Sequence, residues 1–319
     1  MRLLKLIPDN TNIGFVRLRK WAFGLTALLT IAAAVLVGMR GLNLGVDFEG
    51  GVMIEARFAA PPGVDTVRGY VDRLHVGAAD VATFGGDDVL SIRLPMPPEK
   101  DEGATNRLIN KVEAALKAQF PSVTFNRAET VSAKVSGELI QSGLLAVFLA
   151  VFGIAVFSWL RYEWQFGVST FVAIFHDVLV TLGFFALFRL QFDLNIVAAV
   201  LTIIGYSIND KIVIDDRIRE NMRKYRQMDM RTLIDLSVNE TLPRTVMTSL
   251  TILLALGALL AFGGPVLRGF TAAMMLGVVV GTYSSIYVSS SLLITLGLKP
   301  QLTDPKKKSG PADSAERIG

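Results

Sequence analysis

The sequence predicts an all-α polytopic membrane protein with six transmembrane helices, plus an α+β ferredoxin-like periplasmic domain between helices 1 and 2. Three observations carry this. The 319 residues are 51% hydrophobic, with a mean hydropathy of +0.47, too apolar for an ordinary soluble domain. Six runs approach or exceed the roughly 20 residues that cross a bilayer. The long segment 40–138 instead alternates strand and helix patterns.

Span one is 21–39, "WAFGLTALLTIAAAVLVGM". Its apolar run is too long for a signal peptide, and Gly38-Met39-Arg40 is a poor cleavage site. The others are 139–160, 167–188, 194–215, 245–263 and 269–297. Basic residues orient them. Arg2, Lys5, Arg17, Arg19 and Lys20 precede span one. Arg217, Arg219, Arg223, Lys224, Arg226, Arg231 and Arg244 lie between spans four and five, and Lys299 and Lys306 to Lys308 follow span six. The positive-inside rule puts 1–20, the loop 216–244 and the tail 298–319 in the cytoplasm. The segment 40–138 then lies outside, since long domains translocate largely regardless of charge. The polar, Lys-bearing tail is expected to be disordered.

Within 40–138, residues 50–58 read as a strand and 63–75 as a helix. Residues 78–84 and 88–94 read as strands around a Gly85-Gly86-Asp87 turn. Residues 104–119 keep helical spacing through Leu108, Val112, Ala115 and Leu116, and 122–128 read as a last strand. The order β-α-β-β-α-β suits a split βαβ domain.

Composition excludes several function classes. With no Cys there is no disulfide and no thiolate metal site. Two His, and no HExxH, argue against a zinc enzyme. No nucleophile–base constellation supports an enzyme, and no cofactor or metal is expected. A net charge of +4 reflects the inner loops and membrane lipids rather than nucleic acid. The Gly277-x-x-x-Gly281 stretch and the serines of span six are expected to serve helix packing.

The ionisable residues inside the spans are His176, Asp177, Asp210 and Lys211, with Asp215 and Asp216 one turn further on. Such groups are costly in hydrocarbon and mark function. Asp215 is expected at the inner boundary, paired with Arg219 at i,i+4. Lys211 has two readings: it snorkels inward, or it faces Asp210 or a partner. Asp210 is too short to snorkel, and it shares a face with Tyr206, Ser207 and Ile214. That face should look into the bundle, close to Asn209. Burial favours a neutral carboxyl and a nearby cation favours a charged one, so a balance of the two lets a proton load and leave. Arg244 is the candidate cation, placed near the inner face where Pro243 starts span five. His176 and Asp177 form either a second titratable pair or, more commonly, a packed hydrogen-bonded His.

Several stretches resemble a known family. They are "GVDFEGG" at 45–51, "VSAKVSGEL" at 131–139, "LTIIGYSINDKIVIDDRIREN" at 201–221, "NETLPRTVMTSLT" at 239–251 and "FGGPVLRGF…GTYSSIYVSS" at 262–290. The chain resembles the SecF family of the SecDF protein-export complex, in the resistance–nodulation–division (RND) superfamily. The resemblance implies six spans in the bacterial inner membrane and a SecD partner. It also implies association with the SecYEG channel and, in many bacteria, YajC, and use of the proton-motive force to draw unfolded polypeptide outward. Asp210, in "SIND", and Arg244, in "TL-x-RT", fall on the family's proton pathway. Many members have a small residue where this chain has Lys211, and Phe where it has Asp215. A superfamily half-transporter for a small or lipid-like substrate, or a passive scaffold of the channel, are the alternative functions. The glycines of "GVDFEGG" are expected to shape the path onto the first strand.

Overall fold

The computed structural model describes Pro8 and residues 11–77, 79–84, 86–97 and 102–299. The expected disordered tail lies outside these residues from 300 onward, as does Gly85 of the expected turn. After a 3-10 turn at Val16–Leu18 come α1 (Arg19–Arg40), β1 (Asn43–Leu44), α2 (Val46–Glu49) and β2 (Gly51–Arg57). Then follow α3 (Val64–Asp72), β3 (Asp80–Thr83), β4 (Val89–Leu94), α4 (Glu102–Gln119) and β5 (Thr124–Val131). The remaining elements are α5 (Ala133–Arg161), α6 (Trp164–Phe188), β6 (Gln191–Phe192), α7 (Leu194–Lys224), α8 (Met230–Phe262) and α9 (Pro265–Tyr283). A π-helical segment at Ser284–Ser289 continues α9 into α10 (Ser290–Thr295). Among the described residues, six helices are long and apolar enough to cross a membrane.

The inserted domain is a four-stranded antiparallel sheet in the order β3-β4-β2-β5. Alternation places Val52, Ile54, Ala56, Leu90, Ile92 and Leu94 on one face. Val67 and Val71 of α3 and Leu108, Val112 and Leu116 of α4 bury against it, so both helices cover the same side. On the other face, Glu55 is buried and accepts from Asn126 Nδ2 at 2.9 Å.

A ladder invisible in the local pattern ties this domain to the helices. β1 pairs in parallel with β6, Asn43 opposite Gln191 and Leu44 opposite Phe192. Arg93 on β4 donates to the Leu44 carbonyl and to Asn43 Oδ1, and pairs with Asp80 at 2.6 Å. The "GVDFEGG" stretch lies at this junction. Its α2 turn presents the Val46 and Asp47 carbonyls to the Ser136 hydroxyl, and Asp47 Oδ2 accepts from the Leu194 amide at 3.0 Å, capping α7. Gly51 has φ of 126°, and a Cβ there would meet the Leu94 carbonyl oxygen.

Among the long helices, α6, α7 and the α9–α10 unit are inner, while α1, α5 and α8 are peripheral and expose much apolar surface. Residues 216–244, expected as a loop, are almost entirely helical. α7 runs on to Lys224, and α8 begins at Met230 with Asp229 as its N-cap, accepting from the Arg231 amide. Asn221 donates to Ser237 Oγ and to Glu240, and Arg217 pairs with Glu240 at 2.7 Å. These polar contacts zip the two extensions together, and periodic hydropathy in so charged a stretch is too weak to reveal them. Pro243, expected in the first turn, sits in the interior of α8. Its missing amide costs one helical bond, which the continuous packing on both sides tolerates. The N-terminal segment also docks here: Asn239 bonds both the amide and carbonyl of Ile13, and Asp235 accepts from Val16.

Gly51→Ala is expected to cost roughly 1–3 kcal/mol, from a side chain forced into the left-handed region. The check is amide hydrogen exchange of the full chain: β2 and β5 should lose protection. Unchanged protection would refute the role given to this glycine.

Candidate functional site

Neighbouring residues on a helix point about 100° apart, so Asp210 and Lys211 serve different surroundings. Lys211 neither snorkels nor faces Asp210. It is 1% exposed and points into the space between α6, α7 and the π-helical segment. Its ammonium donates to Ser169 Oγ at 3.0 Å, to Asp215 Oδ2 at 2.8 Å and to Ser289 Oγ. An ammonium has three hydrogens, and all three are used. Asp215 is therefore not a boundary residue paired with Arg219. It is buried, its Oδ1 has no hydrogen-bond partner among the described residues, and Lys211 is its counter-ion. Both pairings have i,i+4 spacing, and burial decides between them, because α7 continues well past Asp215. Arg219 instead lies 5.6 Å from the Tyr162 ring centroid, while the Tyr162 hydroxyl donates to Asp216 at 2.8 Å.

A second polar node lies further along the same helices. His176 Nδ1 is 3.0 Å from Asp177 Oδ1, and the Ser207 and Ser284 hydroxyls donate to Asp177 Oδ2 at 2.6 and 2.8 Å. His176 is thus packed and hydrogen-bonded, with Nε2 unpartnered among the described residues. Ser284 and Ser289 are the first and last residues of the π-helical segment. One end meets Asp177 and the other meets Lys211. The serines of span six therefore do more than the packing expected of them. Gly277 and Gly281 do serve packing, against Ile203 and Ser207. Sequence reasoning missed Ser169. Its signal was its place two turns before His176, on the same face of α6.

Asp210 points about 100° around α7 from Lys211. It is 2% exposed, and its Oδ2 has no hydrogen-bond partner among the described residues. A carboxylate so placed is costly as a bare anion. The Arg244 guanidinium acts on it electrostatically. Arg244 does not begin its helix as expected: it sits about four turns into α8, and its side chain is exposed. Tyr206 and Ser207, though on the expected face, divide. Ser207 serves Asp177, while the Tyr206 hydroxyl meets Ser249 Oγ at 2.8 Å, and Ser249 meets Thr282 at 2.8 Å. Asn209 is exposed, as are Thr202 and Gly205 on α7 and Thr251 on α8. Among the described residues no group of three or more His, Asp or Glu side chains is placed to hold a metal.

Breaking a buried ion pair from one side leaves an uncompensated charge. Lys211→Met is expected to destabilise the chain by about 3–5 kcal/mol, and Lys211→Met/Asp215→Leu to recover most of it. Thermal unfolding of the detergent-solubilised full chain checks this. Equal losses in the single and double variants would refute the pairing.

Residues 111–299 match the family described as "Protein export membrane protein SecD/SecF, C-terminal", and residues 35–62 match the "SecD/SecF GG Motif". The protein translocase subunit SecF of Cereibacter sphaeroides is 45% identical over 311 residues, covering 96% of this chain and 95% of that one. SecF of Rhodobacter capsulatus is 42% identical over 322 residues, covering 97% and 95%. The crystal structure of SecDF from Thermus thermophilus, described as a translocon-associated membrane protein, superposes with a TM-score of 0.83 at 34% identity. It covers 91% of this chain, which in turn spans 39% of that longer one. With six membrane-length helices around two buried charge nodes, a GG motif at the domain junction and this likeness along nearly its whole length, the chain belongs to the SecF family of protein translocase subunits.

Proposed function

We propose that this chain is one half of a proton-driven protein-export motor. It sits in the bacterial inner membrane, with both termini and the joined ends of α7 and α8 in the cytoplasm. The inserted domain, a ferredoxin-like β-α-β-β-α-β unit, lies in the periplasm. The distribution of Lys and Arg supports this orientation, and the sheet order β3-β4-β2-β5 supports the domain type. The other half is a SecD chain. Together they act on polypeptide emerging from SecYEG, with YajC as an accessory, as other RND superfamily members couple ions to transport. The chain makes and breaks no covalent bond in its substrate.

The observation that carries this reading is the setting of Asp210. Its carboxyl is buried and incompletely hydrogen-bonded, beside the exposed polar groups Asn209 and Arg244. Lipid would leave those polar groups unsatisfied, so a partner helix must cover them. The carboxyl then lies at the seam between two halves. Proton uptake removes its attraction to Arg244, and proton release restores it. Moving one charge through 100 mV supplies about 2.3 kcal/mol, enough to shift a two-state packing more than tenfold. The α7 N-terminus is held by Asp47 and the domain by the β1–β6 ladder, so a shift of α7 is passed to the inserted domain.

Asp210→Asn is expected to abolish the stimulation of translocation by a proton gradient in membrane vesicles, while leaving ATP-driven translocation. Stimulation of undiminished size sinks the proposal. A cysteine placed by Asn209→Cys is expected to cross-link to the SecD partner, whereas one placed by Phe148→Cys on α5 should not. No cross-link at position 209, or equal cross-linking at both, would place the partner elsewhere.

A further inference from the structure

We propose that a cleft between the N-terminal segment and the start of α8 binds the headgroup of an anionic phospholipid. The inference rests on the six helices spanning a membrane, not on the export role. The cleft has a volume of about 510 Å³ and is lined by Arg17, Arg19, Lys20 and Arg231, with Asp235 as its single acid. Asp235 cannot answer four cations, because its carboxylate is already engaged by the backbone amides of Val16 and Phe15. None of the four basic side chains has a hydrogen-bond or ion-pair partner among the described residues.

Asp235 accepts from the Val16 amide just ahead of α1, and Asp229 caps the start of α8. Both acids are spent on backbone amides, so the charge of Arg17, Arg19, Lys20 and Arg231 is left for an external anion. Phosphate chemistry fits such a site, and Arg offers paired donors to it.

Depth selects a lipid over a soluble phosphate. Trp21, one residue beyond Lys20, is 82% exposed, and Leu25 and Leu28 continue the bare apolar wall of α1. Tryptophan at a helix end marks the headgroup level. A phospholipid satisfies both surfaces at once, its phosphate among the four cations and its acyl chains along Trp21, Leu25 and Leu28. Basic pockets at helix ends on the inner leaflet suit anionic headgroups.

Native mass spectrometry of the full chain, released from nanodiscs of mixed phosphatidylethanolamine and phosphatidylglycerol, tests the site. The wild-type chain is expected to retain phosphatidylglycerol in preference to phosphatidylethanolamine. Arg17→Gln/Arg231→Gln should weaken that retention roughly thirtyfold, and Arg17→Lys/Arg231→Lys should keep most of it. Arg161→Gln/Arg223→Gln, an equal charge loss at another basic patch, should keep it too. Thermal unfolding in purely zwitterionic nanodiscs should be the same for all four chains, which separates loss of the site from loss of the fold. Equal loss in the two glutamine variants overturns the proposal in favour of diffuse attraction. Full retention by the Arg17→Gln/Arg231→Gln chain overturns it outright. Displacement of the retained lipid by millimolar inorganic phosphate overturns it in favour of a soluble anion.

Discussion

A lysine ammonium sealed inside a helix bundle must find an acceptor for every hydrogen and a counter-charge for itself, or the bundle will not hold it. Lys211 finds both in the Ser169, Ser289 and Asp215 oxygens, contributed by α6, the π-helical segment and its own helix. Everything near the centre of the molecule is arranged around that requirement. Three helices are pinned at one depth by one charge. The Asp177 node pins them again further along. Such pins add specificity of packing more than net stability, because desolvation offsets most of their attraction.

This division gives α7 two unlike faces. The inward face, through Ser207, Lys211 and Asp215, is closed by hydrogen bonds to groups of this same chain. The other carries the exposed Asn209 and, next to it, the buried Asp210 carboxyl, whose Oδ2 has no hydrogen-bond partner among the described residues. A helix built this way can move only with its inner neighbours, as part of a block. Asn209, on the outer side of this block, is exposed. The π-helical segment belongs to the block, and its two end serines hold the two carboxylate nodes at their separation. Extra residues in a turn of this kind are tolerated where side chains reward them.

At the far end of α7 lies the junction with the inserted domain. The link is short and mostly backbone: two ladder residues on each side, the Asp47 cap on Leu194, and Arg93 reaching from the sheet to β1. Gly45 lies close enough to Phe192 and Asp193 that a side chain there would crowd them. Close backbone approach is what glycine permits, and the glycines of "GVDFEGG" let the chain leave α1, cross under α7 and enter the sheet within a few residues. The domain is thus joined to α7 by direct contacts as well as by the covalent chain.

Much of this was legible in the residues themselves. Long apolar runs located the six helices, because every backbone group in hydrocarbon must be satisfied within its own helix. Alternation and turn chemistry located the elements of the inserted domain, because its sheet buries one face against two helices. The cost of charge in lipid singled out His176, Asp177, Asp210 and Lys211. Only the tertiary structure decided what those charges do. Asp215 satisfies i,i+4 with Lys211 and with Arg219 alike, and burial made the choice. Ser284 and Ser289 read as small packing residues, and Ser169 carried no reading at all, until three helices brought them to one ammonium and one carboxylate. The helical extensions of α7 and α8 depend on contacts between Asn221, Ser237 and Glu240, and the β1–β6 ladder joins residues nearly 150 positions apart. Periodicity records which side of a helix is apolar. It does not record which neighbour that side will meet, and hydrogen-bond partners are set by that meeting.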